Sequence, residues 1–170
     1  MDETSTLDSM VCFAVYSAAN AVAQAHRAAL EPWGLTYTQY IALIEVAGTS
    51  AGLTVGELGR RMQLDSGTLS PLLRRLDERG LVTRERRSAD ERVVTVTATD
   101  AGRSVRGELA EAIACVNAAY GFGSREEAAE LITSLNRVAA GMHELTATTR
   151  ATPAATAAPV AADTPTPAAR

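Results

Sequence analysis

Residues 54–80 read TVGELGRRMQLDSGTLSPLLRRLDERG, and the architecture of the chain turns on this run. Thr54 stands three positions before Glu57, with Leu53 and Leu58 at the flanking positions. In that pattern the threonine oxygen and the glutamate carboxylate each accept from the other residue's backbone N–H, so a short helix opens here and ends near Met62. Asp65 then offers a carboxylate to the first free amides of another helix, predicted over 66–79. Gly80 follows as the stop, with Leu76 and Leu81 placed for the apolar contact of a Schellman end. Pro71 falls inside this second helix, where its missing amide is tolerable only within the first turn or so.

Beyond Gly80, segments 81–86 and 92–97 are rich in Val and Thr and flank the polar residues Arg87, Ser88, Ala89, Asp90 and Glu91. That arrangement predicts a two-stranded hairpin carrying Arg84, Arg86, Arg87 and Arg92. A short helix, a tight turn, a second helix and a hairpin is the order of a winged helix-turn-helix. Its chemistry follows from the grooves of double-stranded DNA. A helix enters the major groove when its first turns carry short hydroxyl side chains and its later turns carry Arg, and Ser66, Thr68, Ser70, Arg74 and Arg75 supply that set. The hairpin arginines then reach the neighbouring minor groove, whose potential attracts guanidinium groups. Asp90 and Arg92, two apart at the hairpin return, are placed to pair and shape the loop.

Charge agrees with this placement although the whole-chain balance does not advertise it. Sixteen basic against twenty acidic residues give a net charge of -4, yet residues 54–106 hold eleven Arg and eight acids, a local +3. The rest of the chain carries five Arg and twelve acids, or -7. A basic module in an acidic frame is the footprint of a local nucleic-acid surface.

On the amino-terminal side, Leu7, Val11, Ala14, Ala18 and Val22 recur at helical spacing, and Pro32 with Gly34 closes a long first helix. Thr36 and Gln39 form a second capping box, with Leu35 and Tyr40 at the staple positions, for a helix over 37–47 that stops at Gly48. Thr99 caps a fifth helix running to about 119, and Ser124 with Glu127 opens a sixth. In the sixth, Leu131, Leu135, Val138, Met142 and Leu145 alternate spacings of four and three, a coiled-coil type of seam. The expected fold is mainly α with a small β-hairpin wing, a winged helix-turn-helix within a helical homodimer. Residues 1–53 supply N-terminal dimerisation helices, 54–98 the DNA-binding domain and 99–146 C-terminal dimerisation helices. Residues 147–170, twenty of twenty-four being Ala, Thr or Pro, are expected as a disordered tail.

The acidic start MDETSTLDSM and the lack of a long apolar run predict a cytoplasmic protein with no signal peptide and no membrane partner. No metal-ligand spacing, nucleotide loop or catalytic triad is present, so no cofactor, no metal and no enzymatic activity are expected. His143 reads as a surface or interface residue and Trp33 as core cover at the turn after the first helix. The two cysteines, Cys12 and Cys115, are either small buried hydrophobes or redox-active thiols. Cys12 is followed at spacings of four, three, four and three by Tyr16, Ala19, Ala23 and His26, which places a thiol, a phenol and an imidazole on one helical stripe. Tyr37 and Tyr40 open the next helix.

The stretch LTVGELGRRMQLDSGTLSPLLRRLDERGLVTRERRSADERVVTVTATDAG, residues 53–102, resembles the MarR family of bacterial transcription regulators, with Asp90, Glu91 and Arg92 as its wing motif. VCFAVY at 11–16, GLTYTQY at 34–40 and LDSGTLSPLL at 64–73 resemble its OhrR type, the organic-hydroperoxide sensors, and the likeness runs from residue 7 to about 145. That resemblance implies a peroxidatic role for Cys12 and a hydrogen bond to its thiolate, across the dimer, from Tyr37. His26 stands where the type carries a second sensor tyrosine, and Thr38 stands in place of a proline. It also implies that Cys115 resolves the oxidised thiol, as in two-cysteine members, the alternative being an ordinary core position. The implied function is a dimeric repressor released from operator DNA when an organic hydroperoxide oxidises Cys12, with a low-molecular-weight thiol as a further partner. Alternatives are a regulator released by a noncovalent small molecule, a thiol peroxidase, and an adaptor without DNA affinity.

Overall fold

The computed structural model describes residues 6–86 and 93–151. A 3-10 turn, Thr6–Ser9, precedes helix α1, Val11–Leu30. A second 3-10 turn, Glu31–Trp33, ends on Gly34 at φ 56 and leads into α2, Tyr37–Ala47. Strand β1, Leu53–Thr54, helix α3, Val55–Met62, and helix α4, Ser66–Glu78, follow. Strands β2, Val82–Arg86, and β3, Val94–Ala98, lead to α5, Asp100–Ala118, and α6, Arg125–Ala151.

The capping signals of the sequence are formed as hydrogen bonds. Thr36 Oγ1 accepts from the Gln39 amide and the Gln39 side chain accepts from the Thr36 amide; Thr54 and Glu57 repeat the exchange. Asp65 accepts the Thr68 amide at 2.9 Å, and Thr99 accepts the Gly102 amide at 3.0 Å. At the far end of α4 the Leu81 amide donates to Leu76 O and the Gly80 amide to Asp77 O, with Gly80 at φ 68, the two bonds of a Schellman end. Pro71 is the sixth residue of α4, and the helix continues through it; the carbonyl it leaves unpaired belongs to the exposed Gly67.

Three departures from the sequence reading have local causes. The wing sheet has three strands, in the order β1-β3-β2, not two: Leu53 pairs with Val96 and Thr54 with Thr95. A two-residue strand is too short to show alternation. Gly52 makes its approach possible, because at φ 73 a Cβ there would lie 2.7 Å from Val96 O. The first helix is interrupted after Ser9, so α1 starts at Val11 and Cys12 is its second residue. Finally, α6 runs on to Ala151, five residues into the stretch expected as tail; residues 152–170 lie outside the described residues.

One core joins α2, α3, α4, the sheet and α5. Leu30, Ala42, Leu43, Val46, Leu58, Leu69, Leu73, Leu76, Val96 and Leu109 have no solvent exposure. α5 approaches so closely that a Cβ at Gly102 would stand 2.0 Å from Leu81 O. The chain divides after Gly121 into two compact units, and α6 belongs to the second. Along α6, Leu131, Leu135, Val138, Met142 and Leu145 are all at least 38% exposed.

Candidate nucleic-acid interface and thiol site

α4 buries Leu69, Leu72, Leu73 and Leu76, and at 3.6 residues per turn Gly67, Ser70, Pro71 and Arg74 occupy the opposite face. Thr68 and Arg75, seven apart, share one flank, beside Leu72; Ser66 lies on the other, beside Leu73. All of Ser66, Thr68, Ser70, Arg74 and Arg75 are exposed, spread from one flank of α4 across its outer face to the other. They are not equivalent. The Thr68 hydroxyl donates to Asp65 Oδ2 at 2.9 Å, leaving it free only as an acceptor. Together with the Thr68 amide, the stronger influence, that bond holds the Asp65 carboxyl below its ordinary range. Arg74 pairs with Glu78, Nε to Oε1 at 3.6 Å, both ends open to water. Arg75 shares a groove with Thr36, Thr38 and Thr68, where α4 meets the start of α2.

In the wing, Arg84 and Arg86 stand two apart on β2 and so share one face of the sheet, but at different depths. Arg84 is half-buried on the inner side of β2, opposite Val96, whereas Arg86 is exposed at the strand end opposite Val94. Arg84 therefore does not join the exposed set that the sequence suggested. Arg87, Asp90 and Arg92 lie outside the described residues.

The thiol, phenol and imidazole predicted on one stripe do not form one site within a chain. Cys12 and Tyr16 are exposed at the start of α1, and the whole first half of that helix stands off the core. His26, fourteen residues on and about 21 Å along the axis, is 4% exposed. There it joins Tyr37, ring centroids 4.6 Å apart and edge to face, and Tyr40 at 6.4 Å. Its Nδ1 lies 2.8 Å from Val22 O, so one ring nitrogen is bound to the helix backbone. Burial raises the Tyr37 hydroxyl above its ordinary range, with Tyr120 adding to the effect; Tyr40 is raised by burial and then by Tyr37. Both phenols stay protonated donors near neutral pH. Tyr120 was not legible in the sequence, because nothing local links it to a residue on α2.

Cys115 is exposed on α5, and both thiols are free. Val116 lines an apolar crevice of about 170 Å³ with Ala21, Val22, Ala25, Ala119 and Tyr120. The level of α1 that faces Val116 is thus at least nine residues, about 14 Å, from Cys12. A disulfide needs Cα atoms within about 7 Å, so a single protomer in this conformation does not bring the two thiols together. Among the described residues no cluster of His, Cys, Asp and Glu is disposed to hold a metal, and no helix is long and apolar enough to cross a membrane.

Sequence comparison adds three findings. A MarR family model matches residues 33–93. The HTH-type transcriptional regulator SarZ of Staphylococcus aureus is 34% identical over 133 residues, 78% of this chain and 88% of that protein. TtmR of Methylorubrum extorquens, also an HTH-type transcriptional regulator, is 48% identical over 108 residues; the match covers 64% of this chain but only 55% of TtmR. Among solved structures, AbfR of Staphylococcus epidermidis superposes with a TM-score of 0.67 at 30% identity, covering 79% of this chain and 91% of that one. AbfR has been solved bound to DNA in reduced and in overoxidized form, and also with a disulfide formed. The relatives bear the names of regulators, not of enzymes.

Proposed function

The chain belongs to the MarR family of transcription regulators, and from that premise we propose that it is a homodimeric repressor whose hold on operator DNA is broken by oxidation of Cys12. The observation that carries the redox part is an exposed thiol at the second position of α1, in a chain 30% identical to a regulator solved in reduced, overoxidized and disulfide states.

DNA reading falls to α4. Gly67, Ser70, Pro71 and Arg74 are small or forked groups facing base edges, while Thr68 and Arg75 on the flank meet phosphate. Arg86, at the end of β2, reaches the minor groove. A second copy covers the first half of α1, where Val11 is 73% and Tyr16 65% exposed, and the apolar seam of α6.

For sensing, Cys12 of one protomer faces Tyr37 and His26 of its partner, since within one chain they are a helix length apart. The partner's Tyr37 phenol donates a hydrogen bond to the Cys12 sulfur. The thiolate sulfur attacks the terminal peroxide oxygen and the O–O bond breaks. Sulfur is oxidised by two electrons to sulfenic acid, while the hydroperoxide is reduced to an alcohol after its alkoxide takes a proton. The Cys115 thiolate, or a low-molecular-weight thiol, then attacks that sulfur, expelling hydroxide that leaves as water, and a disulfide forms. If the two thiols of the reduced dimer stand farther apart than a disulfide span, closing that gap displaces α1 or α5 and with them the spacing of the two α4 helices.

The test is release of a DNA fragment upstream of the chain's own gene by an organic hydroperoxide, in wild type, Cys12→Ser and Cys115→Ser. Release lost in Cys12→Ser, and irreversible in Cys115→Ser, is expected. Equal release by all three refutes thiol sensing and favours a noncovalent ligand in the apolar crevice between α1 and α5.

A further inference from the structure

The turn between α1 and α2 is held by two side chains from elsewhere in the fold. Arg79, the residue that ends α4, donates from Nη1 to Gly34 O at 3.0 Å and from Nη2 to Trp33 O. On the other side the Trp33 indole N–H donates to Glu108 Oε2 on α5 at 3.0 Å. The local backbone explains why a guanidinium fits. Trp33 closes a 3-10 turn, and the left-handed Gly34 follows it, so two successive carbonyls stand at the negative end of that turn. A planar fork with parallel donors engages both at once, which an ammonium cannot do with equal geometry.

The position of this turn gives the contact its consequence. His26 lies one helical turn before the buried Leu30, and Tyr37 lies three residues after Gly34, and the two rings meet edge to face across the bend. Any event that shifts Tyr37 against His26 must tilt the chain joining them. The carbonyls that tilt are those gripped by Arg79, the C-cap of α4.

We propose that Arg79 is a positioning residue that couples the His26–Tyr37 cluster to the DNA-reading helix, through the Trp33–Gly34 turn. Its use in peroxide release rests on the function proposed above, but the mechanical link does not. Movement of the turn swings the C-terminal end of α4, and seating of α4 in a groove fixes the turn.

Trp33 is the only tryptophan in the chain, so its emission reports on the turn directly. The probe is a duplex selected from a random-sequence pool on the full chain. Adding it to wild type should shift Trp33 emission. Arg79→Ala should bind the duplex without that shift, and Arg79→Lys, which keeps the charge and loses the fork, should restore it only in part. Peroxide should then raise the wild-type Kd by a factor in the range of about 5–150 typical of coupled sites, and that ratio should fall toward one in Arg79→Ala. A merely structural role would weaken binding equally with and without peroxide, leaving the ratio unchanged. If wild type fails to release on peroxide while the emission result stands, the redox reading falls and the coupling survives. A wild-type emission shift in folded Arg79→Ala, or in Arg79→Lys should Arg79→Ala not fold, overturns the coupling.

Discussion

Arg74 and Arg75 are adjacent in sequence, yet α4 sends them to different surfaces, and substituting each with Ala separates the two modes of DNA contact. Arg75 lies on the flank beside Thr68 and the start of α2, the position proposed above to meet phosphate. Each neutralised phosphate contributes about 0.9 to the slope of log affinity against log salt, so removing Arg75 from both protomers lowers that slope by about 1.8. Between 50 and 200 mM salt the Arg75→Ala variant should therefore lose roughly tenfold less affinity than wild type, on any duplex. Arg74 is central on the exposed face and is held by Glu78 at 3.6 Å. An exposed pair of that kind is worth about 0–1 kcal/mol, so Arg74 exchanges it readily for a guanine edge, where a bidentate bond gives about 1–3 kcal/mol of discrimination. Arg74→Ala should thus reduce the preference for selected over scrambled duplex by about 5- to 150-fold per half-site, leaving the salt slope nearly unchanged. Fluorescence anisotropy over a salt series on both duplexes reads both quantities. If Arg74→Ala flattens the salt slope and Arg75→Ala alters sequence preference, the assignment of α4's face and flank is wrong.

Three further outcomes test the fold and the site. Gly102→Ala places a methyl 2.0 Å from Leu81 O, where ordinary contact is 3.4–4 Å, and should destabilise by at least the upper part of the ~1–3 kcal/mol overpacking range in urea unfolding. With pH, the lowered Asp65 and Glu57 contribute stability above their unfolded values of 3.8 and 4.5 that is lost as pH falls through the folded ones. The raised Tyr37 and Tyr40 contribute stability below 10.0 that is lost as pH rises further; urea midpoints should fall at both ends, and Asp65→Asn should flatten the acid limb alone. A purified heterodimer of Cys12→Ser and Tyr37→Phe chains should keep one intact site of two and about half of wild-type peroxide release if thiol and phenol act across the dimer. Recovery no greater than the mean of the two pure variants would place them in one chain.

What the sequence made legible was whatever is specified within a few residues. Thr36 with Gln39, Thr54 with Glu57, Asp65 and Thr99 each set a helix start by bonds spanning three positions, and the helix bounds follow within a residue or two. Gly80 with Leu81 ended α4 on the same local terms. β1 escaped because its two residues gain strand geometry only by pairing with Val96 and Thr95, more than forty positions away. Arg79 escaped for a similar reason: its acceptors are backbone carbonyls 45 and 46 residues earlier, and no side-chain pattern marks a carbonyl.

The α1 stripe failed differently, and the failure carries information about assembly. Periodicity reported correctly that Cys12, Tyr16 and His26 share a helical face, but a helix face can be covered by two different bodies along its length. The carboxyl-terminal half of α1 holds the buried Leu30 and His26, the latter against Tyr37 and Tyr40, whereas every residue of the amino-terminal half, VCFAVYSAAN, is exposed. Ten residues of helix with no packed face are marginal in water, because helices of that length draw their stability from tertiary contact more than from propensity. The exposed Val11, Phe13, Val15 and Tyr16 therefore require a covering surface, and the helix carries it past Cys12. Whatever seats itself on that half of α1 decides the environment of the thiol, so under the proposed function dimer contact and redox sensing would share one surface, and a substitution such as Val15→Asp should weaken both together.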